Sequence, residues 1–401
     1  MKVAPLTLIS LAAIFEIAGS SGAAMLAPFF MKAHGYSIML ASVPLFVNGI
    51  GRVCSDLISG VLASYFSSGV LIVAATLSAI AVSLLANFFL DSTFVFLGAF
   101  TLLGITEAMF ALSIRKIAFE QSAPGQQGRA QGRVAAALGI GFSVGPLLGG
   151  LVGKVFGPEA LFTLYALPQL AGLTLLFLAR AHRSGEVTQE HAVKLWTEGK
   201  QLLRQSWFLA TALAIFQSFV MLVGVTRIAF PFLAVHQRGM GLDWAGSMVS
   251  ISRLTDTVGR YSGGWLCDRI TAPRVILLGI AIGVPMFILQ PYGFGVVTLA
   301  LPLAIMTMGF GYTNVGATTF ALQSAGANVK ALALGLTRAS TSLGNSLGPL
   351  IAGALVQSLG YDTAFHAMAV ISGAVLLLSW LGLKRKLAGA AESRPIELTE
   401  D

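Results

Sequence analysis

Runs of about 20 apolar residues follow one another along this chain from end to end, each long enough to cross roughly 30 Å of hydrocarbon. A water-soluble domain has too little interior to hide so many runs of that length. In lipid, backbone polar groups must find partners inside the protein, and runs of this length do so as helices. Composition agrees: 56% of the 401 residues are hydrophobic and only 10% charged, a balance outside the soluble range.

Charged, Gly, Pro or Ser-rich breaks place six spans near Leu6–Phe30, Ile38–Leu62, Gly69–Leu90, Thr93–Ile117, Val134–Val155 and Ala160–Ala179. Six more lie near Trp207–Val235, Trp244–Leu266, Pro273–Leu289, Phe294–Leu322, Leu332–Val356 and Thr363–Leu383. Lys2 gives the first run a signal-peptide flank, but the run is too long for an h-region and eleven spans follow, so it reads as a retained helix. The expected division is a six-helix bundle over 1–180, a cytoplasmic linker over 181–206, and a second bundle with a short tail over 207–401. Within the linker, VKLWTEGKQLLRQSW reads as a short amphipathic helix at the membrane surface, anchored by Trp196 and Trp207.

A net charge of +8 raises the question of nucleic acid. Position answers it: of the Lys and Arg residues outside the spans, fifteen fall in the N-terminus, the even-to-odd loops and the tail. Only Lys32, Lys154 and Arg238 fall on the other side. That bias places both termini in the cytoplasm and makes the lipid bilayer, not nucleic acid, the partner. Cys54 and Cys267 lie in apolar segments without a CxxC pair or a nearby His cluster, so neither metal nor cofactor is expected. Nor is an enzyme: no Ser/His/Asp set is seen, and GLVGKVFG lacks the phosphate-loop spacing.

The chain also repeats itself. GPLLGGLVGKVFGPEALF from Gly145 matches GPLIAGALVQSLGYDTAF from Gly348 at an offset of 203, and the same offset pairs Pro28 with Pro231. An offset of 204 pairs Gly60 with Gly264. Six spans per half start each half on the same side, so the repeats run parallel and relate by an axis along the membrane normal.

On these residues the whole chain resembles the major facilitator superfamily. That family's loop signature is a Gly, eight residues, a Gly, three residues and Asp-Arg. In the second half Gly264, Asp268 and Arg269 fit it, with Thr255 in place of the first Gly; in the first half Gly51 and Gly60 fit, but Ser64 and Tyr65 replace the Asp-Arg pair. The segment GIGFSVGPLLGG of the fifth span is similar to the family's antiporter motif, with Gly141, Gly145, Pro146, Gly149 and Gly150 as its small and bending residues. The resemblance implies an all-α membrane protein of twelve transmembrane helices in two pseudo-symmetric six-helix bundles, a monomer in the plasma membrane, the inner membrane if bacterial. It also implies a secondary transporter of small molecules, with a lean to the drug/proton antiporter branch.

Ionisable side chains at bilayer depth are expensive, so each is a candidate for function. Glu16 lies ten residues past Leu6, about 15 Å along the helix and near the midplane. Glu107 sits at similar depth in the fourth span and aligns with Asn314 in the tenth. Both carboxylates are candidates for exchanging a proton or meeting substrate, and Asn314 for lining the cavity. Arg52 and Asp56, four apart, suit an ion pair; Asp256 and Arg260 repeat the spacing in reverse, with Arg253 one turn earlier. With Asp268 and Arg269 these make a candidate gating network between halves. Arg227 has no acid within four residues on its own helix, leaving an acid from another helix or an anionic substrate group as its partner. Phe15, Phe219 and Phe230 are candidates for an apolar pocket.

The leading expectation is proton-coupled efflux of small amphipathic organic molecules by alternating access of two bundles. The alternatives are proton-coupled uptake of an organic anion through Arg227 and Arg253, and a non-transporting sensor or lipid-handling protein.

Overall fold

The structure, a computed structural model, describes residues 5–62, 66–122, 127–181, 202–325 and 330–392, without the side-chain surroundings of 5, 56–62, 127–129, 330–332 and 385–392. The first half contributes α1 Pro5–Ala33, α2 Val43–Leu62, α3 Ser68–Asn87, α4 Thr93–Glu120, α5 Gln127–Phe156 and α6 Leu161–Leu178. The second contributes α7, beginning at Ser206–Gly224, then α8 Leu242–Ile270, α9 Ala272–Leu289, α10 Val296–Ser324, α11 Lys330–Leu359 and α12 Tyr361–Glu392. Ser67 and Ser92 start α3 and α4 by accepting from the N–H groups of Val70 and Val95. A positive φ of 80° at Gly157 turns the chain from α5 into Pro158.

Ten helices are long and apolar enough to cross a membrane by themselves. α8 and α11 match them in length, at 29 and 30 residues, but not in apolarity, and their neighbours explain why. α8 packs on α5, and α11 on α2, each across the two halves. Part of their surface is taken up by these contacts between halves, while Ile251, Leu254 and Val258 of α8 and Leu343 of α11 stay exposed. Phe88, Phe94, Val155, Leu178 and Val370 stay exposed on the outside, where hydrocarbon replaces water as the solvent.

Among the described residues, the halves meet toward one end. One core cluster runs through the second half and takes in the first through residues such as Phe29, Phe96 and Phe162, all near the Lys154 end. At the opposite end the first half has its own core, built from Ile9, Ile17, Phe110, Val134 and Leu176. Cross-half contacts follow the same division. Lys154 Nζ donates to Asp243 Oδ2 at 2.8 Å, the Ile38 N–H donates to Gln357 Oε1 at 3.1 Å, and Phe29 stacks on Phe232 with centroids 4.8 Å apart. Contact along α5 and α8 reaches Gly139 facing Thr257; further on, Gly132 and Gly264 meet nothing within 4 Å. The bundle is closed at the Lys154 end and opens toward the end where the sequence concentrates its basic residues.

α7 departs from an ordinary helix. Val225–Ala229 and Leu233–Gln237 are both π turns, with Phe230–Phe232 between them. Pro231 has no N–H to offer the carbonyl four residues back, at Arg227, and the widened turn sends the Phe230 N–H to Val225 O instead. Pro28, its counterpart in the repeat, lies within a continuous α1.

One sequence expectation changes here. Trp207 is no surface anchor: it is buried at the start of α7, edge-on to Phe208 and Phe320, with its Nε1 donating to Gln205. The amphipathic helix expected around Trp196 lies outside the described residues, as do Ser64 and Tyr65 of the loop signature.

Candidate functional site

The buried charges of the first half collect between α1, α2, α4 and α6. Asn48 Nδ2 donates to Phe100 O at 3.1 Å and Ser55 Oγ to Ile105 O at 3.0 Å, fastening α2 to α4 above and below Arg52. So held, Arg52 forms its ion pair with Glu107 on α4. The i, i+4 spacing offered Asp56 as a pair on the same helix; the structure gives Arg52 an acid from another helix, Glu107. The side chain of Asp56 lies outside the described residues. Glu107, 4% exposed, also accepts from Ser20 Oγ on α1 at 3.3 Å. One turn before Ser20, Glu16 is 1% exposed and neither of its carboxylate oxygens has a hydrogen-bond partner among the described residues.

α6 closes this pocket. Its Tyr165 hydroxyl and both side-chain polar atoms of Gln169 are likewise buried; the two side chains lie beside each other but are not in good hydrogen-bond geometry, and neither has another partner among the described residues. Tyr165 lies within electrostatic range of Glu16, Glu107 and Arg52. Five orphaned buried polar atoms in one place are costly by about 1–3 kcal/mol each, so this is not a packing core. Tyr165 and Gln169 were missed from the sequence because neither is charged, although a Gln within the apolar run LPQLAG was a readable signal.

The second half presents bases opposite. Arg253, 9% exposed on α8, donates from Nη2 to Thr226 Oγ1 at 2.6 Å, and Thr226 in turn donates to Leu222 O. Arg227, next to Thr226 on the first π turn, is half-buried and has neither hydrogen bond nor ion pair among the described residues. Asp256 and Arg260 pair as their spacing suggested, Nε to Oδ1 at 3.2 Å and Nη2 to Oδ2 at 2.9 Å, and so compensate each other.

A narrow cleft runs between these groups, lined by Ser21 and Met25 of α1, Phe142 and Pro146 of α5, Thr226 and Arg227 of α7, and Val249 and Arg253 of α8. All four helices contribute, two from each half. The Gly/Pro motif of α5 forms one wall. Gly141, Gly145 and Gly149 back onto α1, while Pro146 and Gly150 approach Gly246 of α8. The motif is thus a two-sided seam joining the halves. A larger apolar groove between α9 and α12, about 430 Å³ and lined by Leu277, Leu376 and Trp380, opens on the outer surface away from every buried charge.

Other expected residues stand apart. Asn314 is half-buried on α10 and its side chain makes no hydrogen bond among the described residues. Asp268 and Arg269 are exposed at the open end of α8, with Arg269 stacked 4.1 Å over Trp265. Phe15 points outward at 39% exposure, and Phe219 and Phe230 are buried in packing, so the aromatic lining of the cleft is Phe142 instead. The clasp at the closed end, Lys154 with Asp243, was not foreseen. Asp243 lies outside the apolar run of α8, and the hydrogen bond from Lys154 holds its carboxyl below the usual range.

Twelve helices in two bundles that meet at one end, with buried charges facing a cleft between them, define a membrane transporter fold. The chain belongs to the Major Facilitator Superfamily, whose family model matches residues 9–339. It is 24% identical over 270 residues to Multidrug resistance protein 2 of Bacillus subtilis, covering 66% of this chain and 67% of that one. Multidrug resistance protein 1 of the same organism is 25% identical over 258 residues, covering 63% and 64%. The chain therefore spans about two thirds of the length of these relatives. The crystal structure of a point mutant of the nucleoside transporter NupG superposes with a TM-score of 0.80 at 15% identity, covering 94% of this chain and 99% of that one.

Proposed function

We propose that this chain is a proton-coupled secondary transporter of small amphipathic organic molecules, with Glu16 and Glu107 taking and releasing the proton. The observation that carries the reading is the buried pocket of Glu16, Tyr165 and Gln169 beside the Glu107–Arg52 pair. A carboxyl with no partner exists there at least cost when protonated, and it can give the proton up only when the surroundings change. Rocking of the halves supplies that change, because α1 carries both Glu16 and the residues Ser21 and Met25 that line the cleft.

With the basic end taken as cytoplasmic, the conformation described is open to the inside and clasped outside by Lys154 and Asp243. The division into bundles at 1–180 and 207–401, the cytoplasmic termini, the bacterial inner membrane and the monomeric state belong to the same proposal. The names of the Bacillus subtilis relatives, multidrug resistance proteins, support removal of organic compounds from the cell. A second reading, uptake of an organic anion together with protons, is favoured by Arg227, which has no acidic partner among the described residues.

The test is transport by purified protein in vesicles, with a panel of amphipathic cations, neutral compounds and anions and an imposed proton gradient. Glu16→Gln and Glu107→Gln are each expected to lose gradient-driven movement while still inserting and folding. Gradient-driven movement unchanged in both variants would overturn the assignment.

A further inference from the structure

We infer that Arg227 and Arg253 form the anion subsite of the cleft, so that the substrate carries a carboxylate, sulfonate or phosphate group on an apolar body. The inference rests on the proton-coupled reading above and gives it a substrate class.

Four observations converge. First, the two guanidinium groups line one cleft that is nearly closed in this conformation, with room for about 10 Å³, and whose apolar neighbours, Met25, Phe142, Pro146 and Val249, would meet the body of an amphipathic ligand once the halves part. Second, they are prepared differently. Arg253 is fixed by Thr226, whereas Arg227 keeps all its donors free among the described residues. A guanidinium offers five donors in a planar fork, and a free fork at bilayer depth calls for an oxygen anion. Third, Arg227 stands on a π turn made where Pro231 withdraws its N–H, a local distortion that ordinary helix packing gives no reason to keep.

Fourth, the buried charges do not cancel. Asp256 and Arg260 neutralise each other. Of the rest, among the described side chains, Arg52, Arg227 and Arg253 outnumber Glu16 and Glu107 by one when both acids are ionised, and by two when one is protonated. The charged groups within electrostatic range of Arg227 are Arg52, Arg253 and Glu107, and those around Glu16 include Glu107. One negative charge on the ligand relieves the excess, and it is held more strongly when a carboxyl is protonated, because the excess is then two instead of one. Anion and proton then favour each other's binding by the same factor, as linkage requires, and cross the membrane together. Without the anion, ionising both carboxylates cuts the excess to one, and the empty carrier returns in that state.

Binding to the purified full chain in detergent tests this, with naphthalene-2-sulfonate as probe and 2-naphthylmethylammonium as its cationic counterpart. The sulfonate should bind and the ammonium should not, and sulfonate affinity should rise as pH falls. Arg227→Gln should weaken the sulfonate by roughly ten- to a hundredfold, the loss of one charge-assisted contact. Arg227→Lys should recover part of that, and its unchanged thermal unfolding would show that the fold survives. Stronger binding of the ammonium, or sulfonate affinity unchanged in Arg227→Gln, overturns the inference. Failure of the proton reading looks different: sulfonate binding then persists with its Arg227 dependence but without any pH dependence, and Glu16→Gln leaves it unaltered.

Discussion

Replacing Gly150 by alanine should push the protein out of the conformation described here. On α5, a Cβ at position 150 would stand 2.5 Å from Leu242 O and 3.1 Å from the Cα of Gly246, where ordinary contact begins near 3.4 Å. Both neighbours are backbone atoms of α8, so no side chain can swing aside. Overpacking of this kind costs about 1–3 kcal/mol. The gain of about 1 kcal/mol in helix propensity applies to every conformation alike and cancels. Opened at the Lys154 end, the protein does not feel the clash, so the balance between conformations should shift by roughly 5- to 150-fold toward opening there. Spin labels at Val155 and Trp244, exposed positions on α5 and α8 at that end, would read the distance by pulsed electron resonance after Cys54 and Cys267 are replaced. The parent should show mainly the short distance, and Gly150→Ala a large longer component. The same distribution in both would refute the claim that this glycine seam sets the conformational balance.

Three further outcomes follow from the same geometry. Cysteines at Lys154 and Asp243 should form a disulfide that stops transport in vesicles until a reductant is added, whereas Asp243→Asn alone should do little, since one exposed pair is worth about 0.2–1 kcal/mol; transport by the oxidised form would contradict the clasp. Arg52→Ala strands Glu107 and should cost about 3–5 kcal/mol in thermal unfolding, with Arg52→Ala/Glu107→Gln recovering over half of it; additive losses would mean the two do not interact. Tyr165→Phe removes a hydroxyl that has no partner, so stability should hold or rise while gradient-driven transport falls; transport equal to the parent's would remove Tyr165 from the proton pocket.

The architecture was open to reading because it rests on long-range regularities: the apolar runs, the repeat at offset 203 and the loop signature around Asp268. The charged members of the site were visible for a related reason, since Glu16, Glu107, Arg227 and Arg253 each interrupt an apolar run. Their partners were not. Helical spacing reports only neighbours on the same helix, which is why it offered Asp56 to Arg52 and could not show Glu107 on α4. Asp256 and Arg260, truly four apart on one helix, were read correctly for the same reason. Tyr165 and Gln169 carry no charge, and burial without a partner is a property of packing. The π turns of α7 could not be read from Pro231, because Pro28 at the matching place leaves α1 regular. Lys154 and Asp243 are 89 residues apart, and only the closed end of the bundle makes them neighbours.

The central claim is that a proton held at Glu16 is coupled to movement of an organic substrate through the cleft. Glu16→Gln, a fixed mimic of the protonated carboxyl, separates coupling from movement when naphthalene-2-sulfonate flux is measured in vesicles of the purified protein. The account predicts that this variant exchanges labelled for unlabelled sulfonate across the membrane as the parent does, yet fails to accumulate it under a proton gradient. Accumulation at the parent's level, or loss of exchange and accumulation in equal measure with the fold intact, would contradict it.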